Sequence, residues 1–186
     1  MDNEIKKQIV YELIDTFINA GNIALDLRDK GLKKIIKEDN TPVTNGDLEV
    51  NKIITNKIKE ITPQIPIVSE EVSDNKNIEN LSTFWLIDPI DGTYDYLNNR
   101  DEFTLNAGLI INKKPEVAII NAPAKKRLFY TFGMNNSFEI KNKKEIKLDS
   151  GLSSKNSELL ALVYSDNIKD EIKDIHNRYK IKSITK

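Results

Sequence analysis

Apolar positions along the chain follow two regimes. Over residues 4–30 they recur at intervals of three and four, through Ile5, Ile9, Leu13, Phe17, Gly21 and Ala24, with Val10, Ile14, Ile18 and Leu25 widening the stripe. That period predicts one long amphipathic helix, stopped by Gly31. A second helix is predicted over 47–60, with Val50, Ile54, Ile58 and Ile61 on one face and Pro63 past its end. Between the two, 32–36 reads as a short strand and 39–46 as turn-forming. Strand-like runs follow at 65–69, 84–87, 104–111, 116–121, 127–132 and 137–140, with a hairpin turn at 112–115 and another around Gly133. The polar stretch 73–82 reads as a surface loop, 94–100 as irregular chain or a helical turn, and 141–156 as a linker. The pattern then changes to strand (159–164), amphipathic helix (166–178) and strand (179–184), the opening of an α/β unit. No internal repeat is visible. The expected fold is layered α/β (α+β), with two N-terminal helices on a largely antiparallel sheet. A first domain over 1–145 and an incomplete second over 146–186 are expected.

Composition narrows the function classes. The 186 residues carry 28 basic and 29 acidic side chains, a net charge of −1, which gives no general footing for nucleic acid. The absence of cysteine removes disulfides, thiolate nucleophiles and Cys-ligated metals from this chain. The N-terminus is charged and amphipathic, without the apolar core of a secretory signal, and no apolar run approaches a membrane span. The cytoplasm is the expected compartment, with a peripheral place at the inner membrane as its variant.

The candidate chemistry sits where strands end. The run Phe84 to Ile87 delivers Asp88, then Pro89, Ile90, Asp91, Gly92 and Thr93. The strand at 65–69 runs into Glu70 and Glu71, and Asp47 opens the second helix. If these ends converge, several carboxylates face one small volume and repel unless cations occupy it. Magnesium suits such oxygen ligands, and two ions about 3.5–4 Å apart can hold a phosphate and its attacking water. Thr93 would orient that water, with Asp47 accepting from its hydroxyl. Each piece alone has a plainer reading. Asp47 alone is an N-cap, Glu70-Glu71 a solvated pair, Asp91-Gly92 a turn, Trp85 core, and His176 a solvated residue of a charged helix. Rival motifs fail on spacing. Asp88 and Asp91 have two residues between them, whereas the haloacid-type phosphatases have one. The EF-hand pattern would put Ile87 and Pro89 at ligand positions, and neither a P-loop nor a G-x-G-x-x-G is present.

Taken jointly, TPVTNGD, IVSEE and WLIDPIDGT resemble the magnesium-dependent, lithium-sensitive inositol-monophosphatase superfamily. Within it, NNRDEFTLNAGLI is most similar to the CysQ-type 3′(2′),5′-bisphosphate nucleotidases. The resemblance implies that Glu70, Asp88 and the carbonyl of Ile90 bind a first magnesium, and that Asp88 and Asp91 hold a second. Asp47 and Thr93 would position and activate the nucleophilic water. The N–H groups of Gly92 and Thr93 would contact phosphate, and Glu71 would help with a third, weaker ion. The implied reaction is hydrolysis of 3′-phosphoadenosine 5′-phosphate to AMP by metal-activated water, without a phosphoenzyme. Inositol monophosphatase is the alternative within the enzymes.

The sequence departs from that pattern in three places. Tyr94-Asp95-Tyr96 stands where family members often carry Lys-Glu-Phe. Tyr164-Ser165-Asp166 stands where an S-R or S-x start to the next helix is usual. The W-D motif of the C-terminal domain, whose Asp completes the second metal site, has no counterpart, since Trp85 is the only tryptophan. A chain truncated inside the second domain is therefore expected. This opens a reading of another class: a catalytically inactive, metal-binding fragment that self-associates through its unfinished sheet.

Overall fold

A computed structural model describes residues 1–36, 42–71, 80–148, 159–163 and 167–185. Helix α1 spans Asn3–Lys30. Asp2 caps it by accepting from the Ile5 N–H, and Gly31, at φ 94°, ends it with an N–H donated to the Arg28 carbonyl. The buried stripe runs through Ile9, Leu13, Phe17, Ala20 and Ala24, as the period predicts. A short antiparallel ribbon pairs β1 (Lys34–Ile36) with β2 (Pro42–Thr44), so part of the stretch expected to be turn is strand. Helix α2, Asn45–Ile61, follows at once and buries Val50, Ile54 and Ile58.

The main sheet has seven strands in sequential order: β3 (Ile67–Ser69), β4 (Phe84–Asp91), β5 (Thr104–Ile111), β6 (Lys114–Ala122), β7 (Arg127–Phe132), β8 (Ser137–Lys141) and β9 (Lys144–Lys147). Neighbours pair antiparallel except β3 and β4, which run parallel. Helices α1 and α2 pack on each other and on the sheet, and the core lies between: Phe17, Ile54, Trp85, Ile87, Leu105, Leu109 and Ile119 are all buried in it. Trp85 is fully buried and donates its indole N–H to Thr62 Oγ1 at 3.0 Å, which satisfies the one polar atom of its ring.

Several boundaries differ from expectation. Strand β4 does not stop at Ile87 but continues through Pro89 to Asp91, where its register with β5 shifts. An irregularity of this kind is where a strand tolerates a proline. The β5–β6 turn is the pair Asn112-Lys113, at φ 51° and 62°, with Lys114 and Pro115 already in β6, the geometry of a two-residue hairpin. The expected linker contains β9, reached by the same kind of turn at Asn142-Lys143. The stretch read as irregular chain or a helical turn opens with a one-turn helix, α3 (Thr93–Leu97), in line with the second of those readings. Residues 72–79, 149–158 and 164–166, which hold most of the predicted loop, half of the predicted linker and the Tyr164-Ser165-Asp166 stretch, lie outside the described residues.

The chain divides into two compact units, Met1–Asp149 and Ser150–Lys186. In the second, β10 (Leu160–Val163) and β11 (Lys182–Thr185) pair parallel, with α4 (Asp170–Tyr179) between them in sequence. That is a single right-to-expectation βαβ unit in order and type, with the helix starting four residues later than its pattern suggested.

Candidate active site

The carboxylates expected to meet are delivered by three elements. Asp47 enters from the first turn of α2. It is not the N-cap: Thr44 is, and Asp47 is the N3 residue of a capping box. Thr44 donates both its N–H, at 2.8 Å, and its hydroxyl, at 2.5 Å, to Asp47 Oδ2, and its Oγ1 accepts from the N–H groups of Gly46 and Asp47. Asp47 is therefore fixed in orientation and only 2% exposed. Glu70 follows β3, with its N–H donated to the Ile87 carbonyl of β4 at 3.2 Å. Parallel pairing of β3 and β4 thus sets Glu70 beside the end of β4, where Asp88 and Asp91 emerge.

The acids lie within reach of one another's charge. Burial pushes the Asp88 carboxyl up to about 7, and the negative fields of Glu70, Asp91 and Asp47 push the same way. Burial also raises Asp47, against the Thr44 bonds that lower it, with Glu70 adding to the rise. The Oδ1 atom of Asp88 is buried and has no hydrogen-bond partner. A buried carboxylate oxygen without a donor, among three other acids, is an arrangement that a cation resolves. Among the described residues, however, no three acidic or histidine side chains stand close enough to hold an ion as they are placed. The residues present fit a divalent cation in charge and donor type, and their side chains must draw inward to ligate one.

The remaining candidates occupy the turn that follows. The Ile90 carbonyl accepts the Thr93 hydroxyl at 3.1 Å, so Thr93 Oγ1 points to Ile90, and Asp47 takes its hydroxyl partner from Thr44. Gly92 has φ 90°, and a Cβ there would lie 2.7 Å from the Glu102 carbonyl oxygen. Both conformation and close approach require glycine. Glu71 is half-buried, and its N–H reaches Ser69 Oγ at 3.4 Å; the acids that raise Asp88 are Glu70, Asp91 and Asp47. His176 lies in α4, in the other unit.

Two residues of this region escaped the sequence reading. Thr44 was visible as the first position of a T-x-x-D capping signature. Asn106, opposite Asp88 across the β4–β5 ladder, sends its amide toward Asp91 Oδ2 at 3.4 Å and keeps a buried Oδ1 without a partner. Only the strand register reveals it.

The chain is similar to known proteins in sequence and in fold. The sequence is 38% identical to the 3′(2′),5′-bisphosphate nucleotidase CysQ of Buchnera aphidicola subsp. Acyrthosiphon pisum over 124 residues, 65% of this chain and 47% of that protein. The chain spans about half the length of the curated relatives it matches. Among solved structures, CysQ from Bacteroides thetaiotaomicron superposes with a TM-score of 0.68 at 21% identity, covering 97% of this chain and 72% of that one. An IMPase/NADP phosphatase complexed with Mg2+ and phosphate superposes with a TM-score of 0.75 at 17% identity, covering 97% and 67%. These two likenesses are of fold. The sequence model of the inositol monophosphatase family matches residues 5–184, nearly the whole chain and all of the acids above, and the chain belongs to that family.

Proposed function

We propose that this chain binds magnesium and phosphate as part of a phosphomonoesterase, and that the substrate is 3′-phosphoadenosine 5′-phosphate, converted to AMP. The observation that carries the cation part is the buried, partnerless Oδ1 of Asp88 among Glu70, Asp91 and Asp47. The nucleotide part rests on the likeness to the CysQ nucleotidases. Glu70, Asp88 and the Ile90 carbonyl would hold one ion, Asp88 and Asp91 a second, and Glu71 is the candidate for a third. Bound magnesium supplies positive charge against the phosphate oxygens and makes water more acidic.

The chain's own residues do the rest. Asp47 and Thr93 would take and relay the proton that the attacking water loses. Both Thr44 bonds end on Asp47 Oδ2, so Oδ1 is the atom for that proton. Burial raises the proton affinity of Asp47 and makes it a better acceptor than an exposed carboxylate. The N–H groups of Gly92 and Thr93, at the left-handed turn that opens α3, would contact the phosphate.

Calorimetric titration of the purified chain with Mg2+ tests the cation part. Binding is expected for the native sequence and lost in Asp88→Asn; equal binding by both would overturn the assignment. Phosphate release with Mg2+ is expected to be faster from 3′-phosphoadenosine 5′-phosphate than from inositol monophosphate. The opposite order would replace the nucleotidase reading by that of an inositol monophosphatase. Ion binding without any turnover would leave the cation site standing and reject hydrolysis by this chain.

A further inference from the structure

One buried side chain outside the acids touches α1, the start of α2 and the turn after β4. Tyr96 of α3 is fully buried. Its hydroxyl donates to the Ala24 carbonyl of α1 at 2.6 Å. Its ring edge lies so close to Gly46, the residue before Asp47, that a Cβ on Gly46 would stand 2.4 Å from the Tyr96 oxygen and 2.8 Å from Cε1. Its backbone N–H closes the following turn on the Gly92 carbonyl at 3.0 Å. Its ring packs on Phe103, centroids 4.8 Å apart, and Phe103 is the residue whose Cα would lie 3.3 Å from a Gly92 Cβ. The Arg28 guanidinium also covers the Phe103 ring, at 5.4 Å, and donates to the Arg100 carbonyl at 2.7 Å. The space around Tyr96 is therefore bounded by α1, the start of α2, and the chain on either side of α3.

We propose that Tyr96 is a positioning residue, whose ring and hydroxyl fix the Gly92–Thr93 turn against the start of α2 and so set the spacing between Asp47 and Thr93. This rests on the role proposed above for those two residues. The physical logic is steric as well as polar. Gly46 is bare so that the ring can touch the α2 backbone, and the hydroxyl tethers the ring to α1. Because α3 is a single turn, it has little rigidity of its own; its place is set by what it packs against. Burial, and after it the Asp47 charge, disfavours ionisation of Tyr96, which keeps the hydroxyl a donor.

Two measurements on the full chain test this with Tyr96→Phe and Gly46→Ala. In metal-free protein, amide exchange at Tyr96, Gly46 and Asp47 is expected to quicken about three- to tenfold in Tyr96→Phe, as the loss of one buried hydrogen bond allows. Exchange in β5–β7 is expected to stay unchanged. With Mg2+, the affinity is expected to fall about three- to fivefold in Tyr96→Phe and more in Gly46→Ala, where the added methyl displaces the ring. Thr62→Val is the control: it removes a buried core hydroxyl, the partner of Trp85 Nε1, and should lower stability without moving either readout. Unchanged exchange at the three amides in Tyr96→Phe would overturn the proposal, as would equal Mg2+ weakening in Thr62→Val. If the native chain binds no Mg2+, the function proposed for the acids fails, while the exchange comparison still decides whether Tyr96 sets their spacing.

Discussion

Asp88 is the residue on which charge, burial and register all act. Its carboxyl is pushed up to about 7 in the folded chain, against an ordinary value of 3.8. Between those values the folded state holds a proton that the unfolded state has released. Stability of the metal-free chain from this group is therefore complete below about pH 4 and is lost as pH rises through about 7. Thermal melts in EDTA should fall between pH 5 and pH 8, and Mg2+ should restore the loss at pH 8 far more than at pH 5. A flat profile in EDTA would show that neither burial nor the neighbouring acids raise Asp88. Asp88→Asn removes the repelling charge at nearly constant shape. In EDTA at pH 8 it should melt higher than the native chain by roughly 3–6 °C, and the two should converge near pH 4. A variant that gains stability while losing its ion is the signature of a site built for a ligand rather than for the fold.

At the scale of elements, the Gly92 turn joins β4 to α3 and has no room for a side chain. Gly92→Ala combines a left-handed φ with a contact of 2.7 Å to the Glu102 carbonyl oxygen. It should cost about 1–3 kcal/mol in urea unfolding followed by Trp85 fluorescence. A loss below a few tenths would mean that the turn relaxes freely. This element also shows what the sequence discloses and what it hides. The long helix was legible because Ile9, Leu13, Phe17 and Ala24 repeat at its period. Strands β5 and β7 were legible to the residue because Leu105, Ala107 and Leu109, and Leu128, Tyr130 and Phe132, alternate with outward positions. Strand β9 was hidden because all four of its residues are exposed; only backbone pairing with β8 makes it a strand. The last part of β4 was hidden because Pro89 signals a stop, and only the register shift against β5 shows how the strand passes it. The candidate acids were found as separate motifs at element ends. The parallel β3–β4 pairing that sets Glu70 beside the end of β4 is specified by no local pattern, and Asn106 and Tyr96 reach the neighbourhood of Asp91 and Asp47 only through contacts distant in sequence.

Across the whole molecule, apolar burial is unevenly shared between the two units. Among the described residues, every member of the buried core, from Ile9 to Phe132, lies in Met1–Asp149, and so do the partly buried residues packed against it, the last of which is Ile140. In the second unit α4 buries no residue, and Leu160, Leu162 and Tyr179 are each more than half exposed. Hydrophobic burial is the main term that opposes chain entropy, and the described residues of the second unit contribute little of it. A chain ending after Leu148 should therefore fold cooperatively, with a melting temperature within about 3 °C of the full chain and the same Mg2+ affinity, since all the proposed ligands are retained. The isolated segment 150–186 should show no cooperative transition in circular dichroism. If cutting after Leu148 instead abolished cooperative unfolding, the first unit would depend on the second for its core, and the acid cluster would be a property of both units rather than of α2, β3 and β4 alone.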